Sequence, residues 1–207
     1  QQSGKATFNF QGYDLNLEGG GQFGHSGVEV VLNGVAKKTQ FQNLTVAATD
    51  IPTDLNSFVR GTISAESIKS DKGELKNIKV PFEWDNKNET GSATLSGTIS
   101  PQYPLKGDIK YKKGHIASNF EVSEFPLSLI ISPASPALRE LVNTTAFISS
   151  ESDFNVQGTG KTKISIATQD FDLKGKIRFS NWNELELDGE PVALNVHVTP
   201  DRLKNLS

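Results

Sequence analysis

The stretch Ile78-Lys79-Val80-Pro81-Phe82-Glu83-Trp84, followed by Asp85-Asn86-Lys87-Asn88-Glu89-Thr90-Gly91, decides the fold. Apolar residues at every second position place Ile78, Val80, Phe82 and Trp84 on one face of an extended strand and their polar neighbours on the other. The polar run that follows carries the Asp, Asn and Gly of a tight reversal. The same alternation recurs on both sides: Ala6, Phe8 and Phe10; Tyr13, Leu15 and Leu17; Val28, Val30 and Leu32; Leu44, Val46 and Ala48. Farther on come Leu127, Leu129 and Ile131, then Ile164 and Ile166, Phe171 and Leu173, Ile177 and Phe179, and Val192, Leu194, Val196 and Val198.

Gly- and Asx-containing clusters separate these runs and read as hairpin turns: Gly19-Gly20-Gly21, Asp71-Lys72-Gly73, Lys113-Gly114, Gly158-Thr159-Gly160 and Asp188-Gly189. Strands of about five to seven residues, a dozen or more of them, would use most of the chain. One polar face implies antiparallel pairing. The predicted fold class is therefore all-β, an extended antiparallel β-meander forming a curved or groove-like sheet. A closed β-sandwich or barrel satisfies the same alternation.

Two segments depart from period two. Ser135-Pro136-Ala137-Leu138-Arg139-Glu140-Leu141-Val142 has a capping Ser and a proline at the first helical position, and predicts one short helix near 135–146. Thr199-Pro200 opens a second helix-like run to Leu206. Gly61-Thr62-Ile63-Ser64 recurs as Gly97-Thr98-Ile99-Ser100, at a spacing too irregular for a strict solenoid. The organisation expected is a single β-rich domain over 1–207, with a soft boundary near 100–104 between two similar halves.

Of the 207 residues, 35% are hydrophobic, which favours a thin sheet over a large layered core. Net charge is −3 with acids and bases intermixed, so nothing gathers a polyanion and nucleic acid is not an expected partner. The absence of cysteine excludes disulfides and thiolate metal ligation. The start at Gln1-Gln2-Ser3, without Met, leads to the expectation of a mature product or excised fragment.

Catalytic motifs do not assemble. His25, His115 and His197 have no second ligand at metal-binding spacing. Gly158-Thr159-Gly160-Lys161-Thr162 ends like a phosphate loop, but it lacks the leading Gly and runs into a strand pattern. Glu83 and Asp85 flank Trp84, and Glu184 and Glu186 follow Trp182. Paired carboxylates beside a Trp suit sugar chemistry, yet Trp84 continues an apolar face and its acidic neighbours point the other way. Trp182, in a turn-like run, is the candidate for a sugar-binding platform. The loop 85–91 lacks the spacing of a calcium loop. Sequons stand at Asn43, Asn88, Asn143 and Asn205. No enzyme activity, cofactor or metal is expected.

Gly61-Thr62-Ile63-Ser64-Ala65-Glu66-Ser67-Ile68, continuing through Gly73-Glu74-Leu75-Lys76-Asn77-Ile78 to Phe82-Glu83-Trp84, resembles in layout the periplasmic part of type II secretion protein N. Gly97-Thr98-Ile99-Ser100, the Gly107 strand, Pro136–Val142 and Phe154-Asn155-Val156-Gln157-Gly158 are similar to that family's later half. More broadly the chain resembles the AsmA and TamB group of β-groove proteins, over about 55–180. The resemblance implies a periplasmic protein, tethered to the inner membrane by an N-terminal anchor absent from this chain, in a secretion or lipid-transport assembly. Its expected partners are other envelope or secretion-system proteins and lipid acyl chains, and edge-to-edge oligomers are open to it. The apolar face expected to bind lipid or partner comprises Phe82, Trp84, Ile109, Tyr111, Phe120, Val122, Leu129, Ile131, Ile177 and Phe179. A carbohydrate-binding or adhesin-like β-sandwich is the alternative.

Overall fold

The computed structural model describes residues 4–12, 15–24, 27–49, 58–71, 73–129, 144–181, 184–187 and 192–197. The chain divides into two units, Gln1–Ile116 and Ala117–Ser207. The first holds β1 (Gly4–Gly12), β2 (Leu15–Gly24), β3 (Gly27–Ala36), β4 (Thr39–Thr49), β5 (Phe58–Ser70), β6 (Gly73–Asp85), β7 (Thr90–Ile99) and β8 (Tyr103–Lys112). Each pairs antiparallel with the next in sequence. Among the described residues β1 does not return to β8, so this unit is an open meander and not a closed barrel or sandwich.

The second unit takes up β9 (His115–Pro126) beyond its first two residues, then β10 (Thr145–Asn155), β11 (Gly160–Ala167), β12 (Phe171–Asn181), β13 (Glu184–Leu187) and β14 (Ala193–Val196). Strands β9 to β13 are hydrogen-bonded neighbours in order, and β14 also pairs with β12. Ile177 faces Leu187 of β13 while Lys174 faces Ala193 of β14, so the two short strands form one interrupted edge.

The strands are longer than the five to seven residues expected; β5 and β6 each have 13. One reason is that Gly19-Gly20-Gly21 is not a turn. The three glycines lie inside β2, paired with β1 and β3. A Cβ on Gly19 would strike the Val31 carbonyl and the Leu32 side chain, so close strand approach explains this glycine. A second reason is bulging within strands. The register shifts between Leu32 and Gly34 and between Lys76 and Lys79, and Asn43 and Asn77 adopt φ of 50° and 52°. The Asn43 amide donates to Asn33 Oδ1 at 2.7 Å and its Nδ2 to Glu66 Oε2 at 2.7 Å, pinning the irregularity across β3, β4 and β5.

The hairpin after Trp84 forms as read. Asp85 faces Thr90, and the Asp85 carboxylate accepts from Asn88 N at 3.1 Å and Asn88 Nδ2 at 2.7 Å. The Gly158 segment is likewise a turn, with Gly158 at φ 89° and β11 beginning at Gly160. A further expectation fails. Leu127–Leu129 is a 3-10 turn and not a strand, because β9 runs out at Pro126, which has no N–H to continue a ladder. The helix expected near 135–146 rests on 135–142, which lie outside the described residues, as does the run 199–206; β10 begins at Thr145.

Candidate functional site: an apolar sheet face

Residues directly opposite in an antiparallel pair share a face. In the first unit one row runs through Gly4, Phe23, Val28, Ala48, Gly61, Phe82, Ala93 and Ile109, one residue from each strand, without a polar side chain. The next row toward the β6–β7 turn contains Val59, Trp84, Gly91 and Tyr111. The Trp84 and Tyr111 rings lie 5.0 Å apart, tilted by 39°, with the intervening Gly91 leaving room for them. A Cβ on Gly91 would come within 2.6 Å of Trp84 Cε3. Gly61 accommodates the Phe82 ring in the same way. Large rings thus lie over cross-strand glycines and flatten the face. Phe82, Trp84, Ile109 and Tyr111, expected from sequence, are brought together.

An alternate row is polar. Thr49, Arg60, Glu83, Ser92 and Lys110 face one another across β4 to β8. Arg60 Nε meets Glu83 Oε1 at 3.0 Å on the exposed side. Asp85 is engaged in its turn, where the Asn88 side chain first and its backbone second hold the carboxyl below its ordinary range. The Ser67 hydroxyl lowers the Glu74 carboxyl most, the cost of burial opposes it, and Lys76 adds to the lowering.

The apolar face is poorly covered. In the first unit only Ala65 and Ile78 among the described apolar residues are buried, while Phe23 is 51% exposed and Val46 and Ile63 are also exposed.

The second unit repeats the two-faced pattern. Ile148, Ile166, Leu173 and Leu194 form an apolar row. Asp153, Lys161, Arg178 and Glu186 form a charged one. Ile177 and Phe179 take alternate positions on the apolar side of β12, opposite Thr162 and Gly160. The buried Thr162 hydroxyl is satisfied by Ser152 at 2.8 Å. Phe120 and Val122 occupy alternate, half-buried positions of β9. Leu129 is corrected: it sits in the 3-10 turn and is 63% exposed, off any strand face. Ile131 lies outside the described residues, as does Trp182. The residue that sequence reasoning missed is Leu127, fully buried against Ala146 with Ile148, Ile166 and Phe171 around it.

Several ionisable residues pair with one another on the polar side. His197 Nε2 lies 3.3 Å from Asp172 Oδ2. A depression of about 390 Å³ beside Lys163, Lys174 and Lys176 includes Glu151, which pairs with Lys163 at 3.4 Å. Among the described residues no group of three or more His, Cys, Asp or Glu is placed to hold a metal ion, and no helix is long and apolar enough to cross a membrane. No protein-family model, curated protein or solved structure matches this chain.

Proposed function

We propose that this is a non-enzymatic cell-envelope protein whose apolar sheet face shields lipid acyl chains within a transport or secretion assembly. The observation that carries the reading is the eight-strand row from Gly4 to Ile109, apolar throughout and open on its outer side among the described residues. Such a face needs a cover, because apolar area left in water forgoes about 25 cal/mol per Å². Acyl chains suit it better than a folded partner. A protein interface carries about one hydrogen bond per 100–200 Å², and this row offers no side-chain donor or acceptor. Each methylene removed from water contributes about 0.8 kcal/mol, so eight methylenes laid on the face contribute about 6 kcal/mol before the cost of association.

The layout resemblance to the secretion and β-groove proteins supports a periplasmic location and a role beside other envelope proteins. The polar rows then face water or a protein neighbour. Native mass spectrometry of the purified chain, before and after lipid extraction, tests the reading. Co-purified or exchangeable phospholipid is expected. A single ligand-free mass that stays unchanged on incubation with phospholipid would reject it.

A further inference from the structure

Strand β1 is a sheet edge of a kind that proteins ordinarily disguise. Short strands, bulges, prolines and charges blunt natural edges. The outermost strand of the second unit has such protection: it is broken into β13 and β14, of four residues each. By contrast β1 is nine residues long, pairs with β2 without a register shift, contains no proline and carries one charge, Lys5. Among the described residues its other side is unpaired.

The register also says which backbone groups point outward. Gly12 faces Leu15 across a two-residue connection, the arrangement that makes these two a hydrogen-bonded pair. Positions 4, 6, 8, 10 and 12 then direct their N–H and C=O groups to β2. Positions 5, 7, 9 and 11 direct theirs away from the sheet.

We propose that β1 pairs antiparallel with β1 of a second copy, in register about Phe8. The outward-directed positions then meet one another: 5 faces 11 and 7 faces 9, each a hydrogen-bonded pair. Lys5 meets Gln11 of the second copy, so no like charges are opposed. Position 8 faces position 8, and position 6 faces position 10. The even positions belong to the register rows of the apolar face, Ala6 with Gly21 and Gly4 with Phe23. A two-fold axis normal to the sheet keeps both apolar faces on the same side. The second copy therefore widens the acyl-binding face, a consequence that rests on the proposed function, whereas the pairing itself does not.

Because the chain has no cysteine, single substitutions report the register cleanly. Position 8 is a non-hydrogen-bonded pair with itself, with Cβ atoms about 4.5–5.5 Å apart, close enough for a disulfide after a small adjustment. Under mild oxidation Phe8→Cys is expected to form a covalent dimer at least about tenfold faster than Ser92→Cys, an exposed position on β7. Should Phe8→Cys not fold, an equimolar mixture of Thr7→Cys and Asn9→Cys chains is expected to give the mixed disulfide in preference to either homodimer. Thr7→Pro removes an outward N–H and leaves the β2 ladder intact; light scattering is expected to find the wild type dimeric and this variant monomeric, with unchanged far-UV circular dichroism.

A wild type that stays monomeric up to its solubility limit would overturn the pairing. So would a Thr7→Pro chain that still dimerises, equal rates for positions 8 and 92, or protection from exchange of the outward amides at positions 5, 7, 9 and 11 in a monomer, which would assign the edge to another segment. A fluorescent fatty acid separates this inference from the function. Binding by the monomeric Thr7→Pro chain leaves the acyl face standing whatever the edge does. Loss of fatty-acid binding in a disulfide-linked dimer leaves the edge standing alone.

Discussion

The two units use the same one-faced meander and differ in what lies on the apolar side. In the second unit the chain covers part of its own face: the 3-10 turn after β9 drives Leu127 onto Ala146, Ile148, Ile166 and Phe171, and Leu127 N donates to Thr144 O at 3.2 Å. In the first unit no described element lies over the face, and even Phe23, Val46 and Ile63 remain exposed. Self-covering and open faces can thus be built from one strand recipe. Among the described residues the difference is one leucine, Leu127, delivered by a strand that stops at Pro126.

That comparison breaks most readily at Leu127. Leu127→Ala is expected to destabilise the second unit by about 3 kcal/mol, the cost of a core cavity. Hydrogen exchange should show faster opening of β10 to β12 with β5 to β7 unchanged; equal loss in both units would mean that they do not differ as described. The counterpart in the first unit is Gly91→Ala, whose new methyl intrudes on the Trp84 ring. A loss of about 2 kcal/mol is expected from overpacking, with a changed Trp84 emission spectrum, and thermal unfolding monitored by that emission checks it. Ile63→Asp sharpens the functional side. Its site is 37% exposed on an inner strand, so a loss of about 1 kcal/mol is expected from the poor strand propensity of Asp, while fatty-acid affinity should fall about tenfold, some 1.4 kcal/mol. Titration of a fluorescent fatty acid measures this.

The smallest effect is that of acid on the first unit. Asp85 and Glu74 have carboxyl groups lowered by their hydrogen bonds. A carboxylate whose folded pKa lies below its unfolded one stabilises the fold above the unfolded value and loses that contribution as pH falls through the folded one. Protection of the β6–β7 hairpin amides should therefore decline below about pH 4. Asp85→Asn should remove its share of that dependence, which exchange-detected NMR across the acid range would reveal.

Much of the sheet was legible because period two is a direct readout of a one-faced strand. Ile78, Val80, Phe82 and Trp84 were enough to place β6, and the Asp85–Gly91 run placed its turn. What stayed hidden has physical causes. Glycine marks both tight turns and flat, closely paired strands, so Gly19-Gly20-Gly21 read as a turn although it lies inside β2. Asn43 and Asn77 take positive φ within strands, a choice alternation does not record; the signal available was the three-residue step from Leu75 to Ile78, which breaks the parity of β6. Leu127, Leu129 and Ile131 have strand spacing, but Pro126 ends the ladder before them. Among the described apolar residues Leu127 thereby becomes the best-buried side chain and Leu129 one of the most exposed. Face membership on β6 and β8 could be read from one strand at a time, whereas the eight-strand continuity of the row depends on registers that only the paired structure supplies.

The central claim is that acyl chains lie on one face of the first unit and not on the other. Ile63 and Thr62 are adjacent in β5, Ile63 opposite Val80 on the apolar side and Thr62 opposite Pro81 on the polar side. A photoreactive phenylalanine analogue at each position, irradiated with phospholipid and read by mass spectrometry, tests that directly. Lipid adducts at position 63 with none at position 62 are the expected result. Adducts at both positions to the same extent, or at neither, would contradict an acyl-binding face.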